Sequence, residues 1–232
     1  MRFPDPGRRP LLATAITLAV IRFSVVYLDR PVAQAMRGVP PWLRDLAEWV
    51  TGFGRSDRYL IPLLLVILLL AFASRSLAGE RRRAVARFWA WRGAFVWLAM
   101  ALSGLLNDVV KLLAGRPRPT AGDAGSAPFT FDYAFQSFPS GHTAIAFALA
   151  FSLSLFWPRW RLPLLAFALA VAASRVIISA HYPADVIGGA LVAWLTVAWL
   201  ARFFADHRLV FQPDSEGRPV PRPAPDGIIT PP

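Results

Sequence analysis

Long apolar runs separated by tight arginine clusters constrain this sequence more than any other feature. A helix needs roughly 20 apolar residues to cross a bilayer, and nearly every stretch between clusters approaches that length. Six can be drawn: about Leu11 to Leu28, Tyr59 to Ala73, Gly93 to Leu113, Thr143 to Trp157, Leu162 to Ala180, and Asp185 to Phe204. With 56% hydrophobic and only 17% charged residues in 232, the composition fits one helical membrane domain. The expected fold is therefore all-α, a polytopic membrane bundle of six transmembrane helices.

Between the first two segments lies "PPWLRDLAEWVTGFG". Here Trp42, Leu43, Leu46, Trp49 and Val50 recur at helical spacing opposite Arg44, Asp45 and Glu48. The pattern predicts an extracytoplasmic amphipathic helix lying at the membrane interface, and equally fits a loop helix packed on the bundle. After residue 208 the chain turns proline-rich and polar. Residues 1–208 are thus expected to form the membrane domain and 209–232 a disordered cytoplasmic tail.

The net charge of +11 does not indicate nucleic acid, because the arginines flank apolar runs instead of forming a continuous basic face. They report topology. Arg2, Arg8 and Arg9, then Arg75 to Arg87, Arg159 and Arg161, and finally Arg202 and Arg208 all fall on one side of a six-span layout. Basic loops stay in the cytoplasm. Both termini are expected there, in an inner membrane, with the connections at 114–141 and near His181 on the periplasmic side. A basic start, an apolar run and "AQA" at 33–35 also resemble a signal peptide, but Arg22 interrupts the run and Asp29 and Arg30 precede the small residues. The first helix is expected to be retained.

Cysteine is absent, which excludes disulfides and thiolate metal sites, and the histidines number three: His142, His181 and His207. Chemistry-bearing residues gather in three stretches, all at the expected outer face. "KLLAGRPRP" carries Lys111, Arg116 and Arg118, with Asp108 one turn before Lys111 as a possible partner. "PSGH" opens the fourth apolar run: Ser140 suits a helix N-cap, Gly141 allows close approach to the backbone, and the helix N-terminus attracts anions. His142 follows, placed to donate a proton. "SRVIISAHYPAD" sets His181 four residues before Asp185, so that the carboxylate can hold one ring nitrogen while the other faces the site. Arg175 in the same stretch is costly to bury without an anion.

Two imidazoles, one carboxylate, three cations and a helix N-terminus suit a tetrahedral anion. No carboxylates or histidines stand at metal-ligand spacing. Phosphoryl transfer without metal or cofactor is expected.

The order Lys, six residues, Arg-Pro; Pro-Ser-Gly-His; Ser-Arg, five residues, His, three residues, Asp resembles the type-2 phosphatidic acid phosphatase family, which shares its site with acid phosphatases and vanadium haloperoxidases. The resemblance implies a nucleophilic His181 forming a phosphohistidine, oriented by Asp185, with His142 as the general acid. It implies phosphate binding by Lys111, Arg118, Ser140, Gly141 and Arg175, and leaves Arg116 without a role. The implied activity is a lipid phosphatase in the bilayer, on substrates such as undecaprenyl diphosphate, phosphatidate, phosphatidylglycerol phosphate or lipid A. A phosphotransferase would use the same residues, and a non-enzymatic anionic-lipid binder or transporter would not need the His181 to Asp185 spacing. Residues 120–137 carry no readable selectivity motif, and oligomeric state is not encoded legibly.

Overall fold

The computed structural model describes residues 9–122 and 124–225. Arg2 and Arg8 of the basic N-terminus and residues 226–232 of the expected tail lie outside them. Helix α1 (Arg9–Phe23) passes through a π-helical turn (Ser24–Leu28) into α2 (Asp29–Met36). Then come α3 (Pro41–Thr51), α4 (Asp57–Ser76), α5 (Glu80–Ala114), α6 (Gly141–Phe156), α7 (Arg161–Ile177) and α8 (Pro183–Asp206). Strands β1 (Phe211–Pro213) and β2 (Pro219–Pro221) follow.

Local chemistry sets the element ends. Pro41 and Pro183 open α3 and α8 at positions where no N–H is needed. Gly115 closes α5 in the left-handed region at φ 52°, its N–H returning to the Lys111 carbonyl at 2.9 Å. At the other end, α5 begins at Glu80 and not near Gly93. Arginine, alanine and glutamate are strong helix formers, so the cluster Arg81 to Arg87 continues the helix instead of looping.

Among the described residues, five helical stretches are long and apolar enough to cross a membrane: Leu11–Met36, Pro41–Ser76, Glu80–Ala121, Pro158–Ile177 and Pro183–Asp206. The fourth expected segment, α6, is apolar but has only 16 residues, about 24 Å of rise. It is the central helix, packed against α5, α7 and α8. Ala144, Ala146, Ala148 and Ala150 are fully buried along it, and such small side chains let neighbouring helices approach closely. By contrast α4 buries none of its 20 residues and turns Leu65, Leu69 and Phe72 outward.

The stretch read as amphipathic is helical. α3 packs on α7, buries Ala47 and leaves Trp42 and Trp49 exposed.

The expected disordered tail is different where it is described. Residues 211–221 form an antiparallel hairpin, with Phe211 paired to Pro221. Phe211 is fully buried, its ring 4.8 Å from Phe95 and 5.3 Å from Phe156. An aromatic ring is enough apolar surface to anchor a short polar segment, which the count of prolines concealed.

Candidate active site

Lys111, on the last turn of α5, pairs with Asp108 at 3.0 Å. A Cβ built on Gly141 would stand 3.2 Å from the Lys111 Nζ, so the ammonium lies over the start of α6. One turn earlier, buried Asn107 donates to the Pro139 carbonyl at 3.1 Å and fixes the loop that leads into α6.

Arg118 is buried and held on all sides. Its guanidinium donates to the carbonyls of Tyr133, Ala180 and Gln136 at 2.9, 2.8 and 3.0 Å and lies 3.8 Å over the Tyr133 ring. With three of its five N–H groups engaged, the fork is fixed, and NH1 also stands 3.3 Å from the His181 Nε2. Arg175 approaches from α7, donating to the Thr51 hydroxyl at 2.8 Å while its buried Nε has no partner among the described residues.

Ser140 stands at the N-cap position of α6 but makes no side-chain cap bond. Its hydroxyl instead accepts from Thr143 at 3.0 Å, and its N–H donates to the Asp185 carbonyl at 2.9 Å. The first-turn N–H groups of α6 therefore stay available, as an anion site requires. Glycine makes this crossing possible: a Cβ on Gly189 would come within 2.5 Å of the Ser140 carbonyl, and one on Gly188 within 2.6 Å of the Phe138 ring. His142, in the same first turn, is packed against Gly54, whose added Cβ would meet its own at 2.7 Å.

The His181 ring departs from the expected pairing. Its Nδ1 faces the Ser137 carbonyl at 2.8 Å, whereas Asp185 Oδ2 is 3.6 Å away, beyond hydrogen-bond reach. A carbonyl only accepts and a guanidinium only donates, so Nδ1 carries the hydrogen and Nε2 the lone pair. Burial pushes the ring pKa down to about 4, with Asp185 opposing and Arg118 and Arg175 adding to the effect. The imidazole is neutral at pH 7.

Asp185 acts one bond further back. Its Oδ2 accepts from the Ser137 hydroxyl at 2.5 Å and the Tyr182 N–H at 2.8 Å. Its Oδ1 accepts from Arg116 at 2.6 Å, and Arg116 reaches Asp29 at 2.6 Å with its other nitrogen.

The expected site residues come together from α5 (Lys111), α6 (Gly141, His142), α7 (Arg175), α8 (Asp185) and the connections that carry Arg118, Ser140 and His181. Asp29, Thr51, Asn107 and Ser137 were not anticipated. Only Asp29 carried a signal, as a carboxylate in an apolar run. Among the described residues no group of three or more His, Cys, Asp or Glu is placed to hold a metal ion.

A neutral imidazole whose Nε2 faces fixed cations at the end of an apolar bundle is a set of groups able to receive a phosphate. The sequence agrees. Residues 92–209 match the PAP2 superfamily, and the chain belongs to that family of phosphatases. Over 210 residues it is 33% identical to a lipid A 1-phosphatase of Rhizobium johnstonii, covering 88% of this chain and 85% of that protein. It is 29% identical over 161 residues to phosphatidylglycerophosphatase B of Bacillus subtilis, covering 64% of this chain and 69% of that one. The fold superimposes on a crystal structure of a PAP2-type phosphatidylglycerolphosphate phosphatase from Bacillus subtilis with TM-score 0.61 at 23% identity, covering 87% of this chain and 98% of that one.

Proposed function

We propose that this phosphatase hydrolyses the phosphate of a membrane lipid at the periplasmic leaflet, through a phosphohistidine at His181. The observation that carries the proposal is the His181 ring, with Nδ1 bonded to Ser137 and Nε2 beside Arg118. The lipid phosphate then settles on Lys111, Arg118, Arg175, the Ser140 hydroxyl and the first-turn N–H groups of Gly141 and His142. The phosphate oxygen competes with Nε2 for the second NH1 hydrogen of the fixed Arg118 fork and so frees the Nε2 lone pair. Nε2 attacks phosphorus, the ester P–O bond breaks, and His142, which takes up a proton from solvent as the phosphate anion binds beside it, gives that proton to the leaving oxygen. Water then attacks the phosphohistidine, its proton passes to His142, the P–N bond breaks, and inorganic phosphate leaves.

An apolar groove of about 610 Å³ between α4, α5 and α6 supports a lipid substrate. Leu63, Ile67, Val96, Met100 and Leu149 line it. Arg58 at its rim lies beside Gly52, on the same connection that packs on His142, so a tail in the groove leaves its head group near the site. The likeness to lipid A 1-phosphatase over most of the chain favours a phosphorylated glycolipid of that type over phosphatidylglycerol phosphate. The arginine distribution supports an inner-membrane, multi-pass placement with cytoplasmic termini and α3 at the outer interface.

The test is phosphate release by purified protein in detergent with chelator present, on a panel of lipid A, phosphatidylglycerol phosphate, phosphatidate and undecaprenyl diphosphate. Turnover lost in His181→Ala and highest on lipid A supports the proposal. Full activity of that folded variant contradicts it.

A further inference from the structure

Asp29 lies at the start of α2, outside the residues that match the family, yet it is connected to the nucleophile through four consecutive hydrogen bonds. The π-helical turn explains how. In a π turn residues five apart share a face, and here the Asp29 N–H returns to the Ser24 carbonyl while the Ser24 hydroxyl donates to Asp29 Oδ1 at 2.9 Å. That turns the carboxylate inward, where it is 1% exposed. Oδ1 also accepts the Ala184 N–H at 3.0 Å, in the first turn of α8. Oδ2 accepts from Arg116 at 2.6 Å, Arg116 donates to Asp185 at 2.6 Å, and Asp185 accepts from Ser137, whose carbonyl takes the His181 Nδ1 hydrogen. The Arg116 guanidinium also lies 4.4 Å over the Tyr182 ring.

We infer that Asp29 and Arg116 are positioning residues for His181, which makes the N-terminal helical segment a working part of the active site. This rests on the proposed role of His181. The reason is charge as much as geometry. Asp29, Arg116 and Asp185 together carry one net negative charge behind the ring, which favours the positive charge that His181 acquires when it bonds phosphorus. Without Asp29 the cluster is neutral. Without Arg116 it carries two buried negative charges, and Asp185 loses the bond that aims Oδ2 at Ser137.

The two substitutions therefore act in opposite senses on the ring. Asp29→Asn makes His181 easier to deprotonate, and Arg116→Gln makes it harder. The other groups that face His181, namely Arg118, Arg175 and His142 with Lys111 beyond it, are unchanged by either.

The experiment is a pH profile of kcat/KM for full-length protein in detergent, using whichever lipid phosphate the wild type turns over. The acid limb is expected to move down in Asp29→Asn and up in Arg116→Gln, by about half a unit or more. In both, kcat is expected to fall about tenfold to a hundredfold, with KM changed much less. The double variant restores one net negative charge and returns the limb to its wild-type position without restoring kcat. A merely structural role lowers kcat and leaves the limb in place in each single variant. That result, or limbs that move the same way, overturns the inference. Should Arg116→Gln not survive purification, Asp29→Asn alone decides, because it keeps the side-chain shape: a downward limb supports, a wild-type limb overturns. Absence of turnover in the wild type, or an active His181→Ala, defeats the proposed function instead.

Discussion

His181 gives its Nδ1 hydrogen to the carbonyl of Ser137 at 2.8 Å. Asp185 lies behind that contact, holding the Ser137 hydroxyl at 2.5 Å. The carboxylate thus orients the ring through an intervening residue, and the Nε2 lone pair is directed at the site by a bond that neither sequence spacing nor the family motif announces.

Ser137→Ala removes the hydroxyl but leaves the carbonyl that meets the ring. The expected loss in kcat is about tenfold, well short of the loss in His181→Ala. Steady-state kinetics of both variants check the order.

Gly54→Ala tests the packing of His142 from the other side. Its new Cβ would meet His142 Cβ at 2.7 Å and Val171 Cγ1 at 2.8 Å. The imidazole must shift, so kcat is expected to fall about a hundredfold while the protein loses about 1–3 kcal/mol of stability. Rates corrected for folded fraction separate the two effects.

Arg175→Gln removes a cation from the proposed phosphate site, and Thr51→Val removes only the hydroxyl that holds it. The expected losses in kcat/KM are about a hundredfold or more and about tenfold, respectively. Inhibition by inorganic phosphate should weaken in the same order.

The depressed pKa of His181 sets a stability window. Its folded value of about 4 lies below the unfolded value near 6.5. Between them the unfolded chain takes up a proton that the native ring refuses, so stability falls as pH drops from about 6.5 toward 4, by up to about 1.4 kcal/mol per pH unit. The contribution is fully present above pH 6.5. Melting temperatures of wild type and His181→Gln across that range check it; the variant should show the shallower slope.

The residues that converge in the candidate site are readable because type and spacing coincide: Lys111 with Arg118, Ser140 with Gly141 and His142, Arg175 with His181 and Asp185. Arg116 is not, because its two partners stand 87 and 69 residues away. In the sequence Asp29 speaks only against a cleavage site, and its inward turn depends on a π-helical distortion that apolar periodicity does not encode. The start of α5 was misplaced because arginines read as loop charge while favouring helix. The hairpin was missed because proline in a strand argues against a sheet, yet at the ends of a two-stranded ribbon its missing N–H costs little.

The central claim is a covalent bond between phosphorus and His181, and a trapping experiment tests it most directly. Protein is mixed with radiolabelled lipid phosphate, quenched in alkali within one turnover, and digested for peptide mapping. Label is expected on the peptide bearing His181, stable to base, released by acid, and absent in His181→Gln. Label on the His142 peptide, or inorganic phosphate formed in the first turnover with none bound to protein, would contradict it.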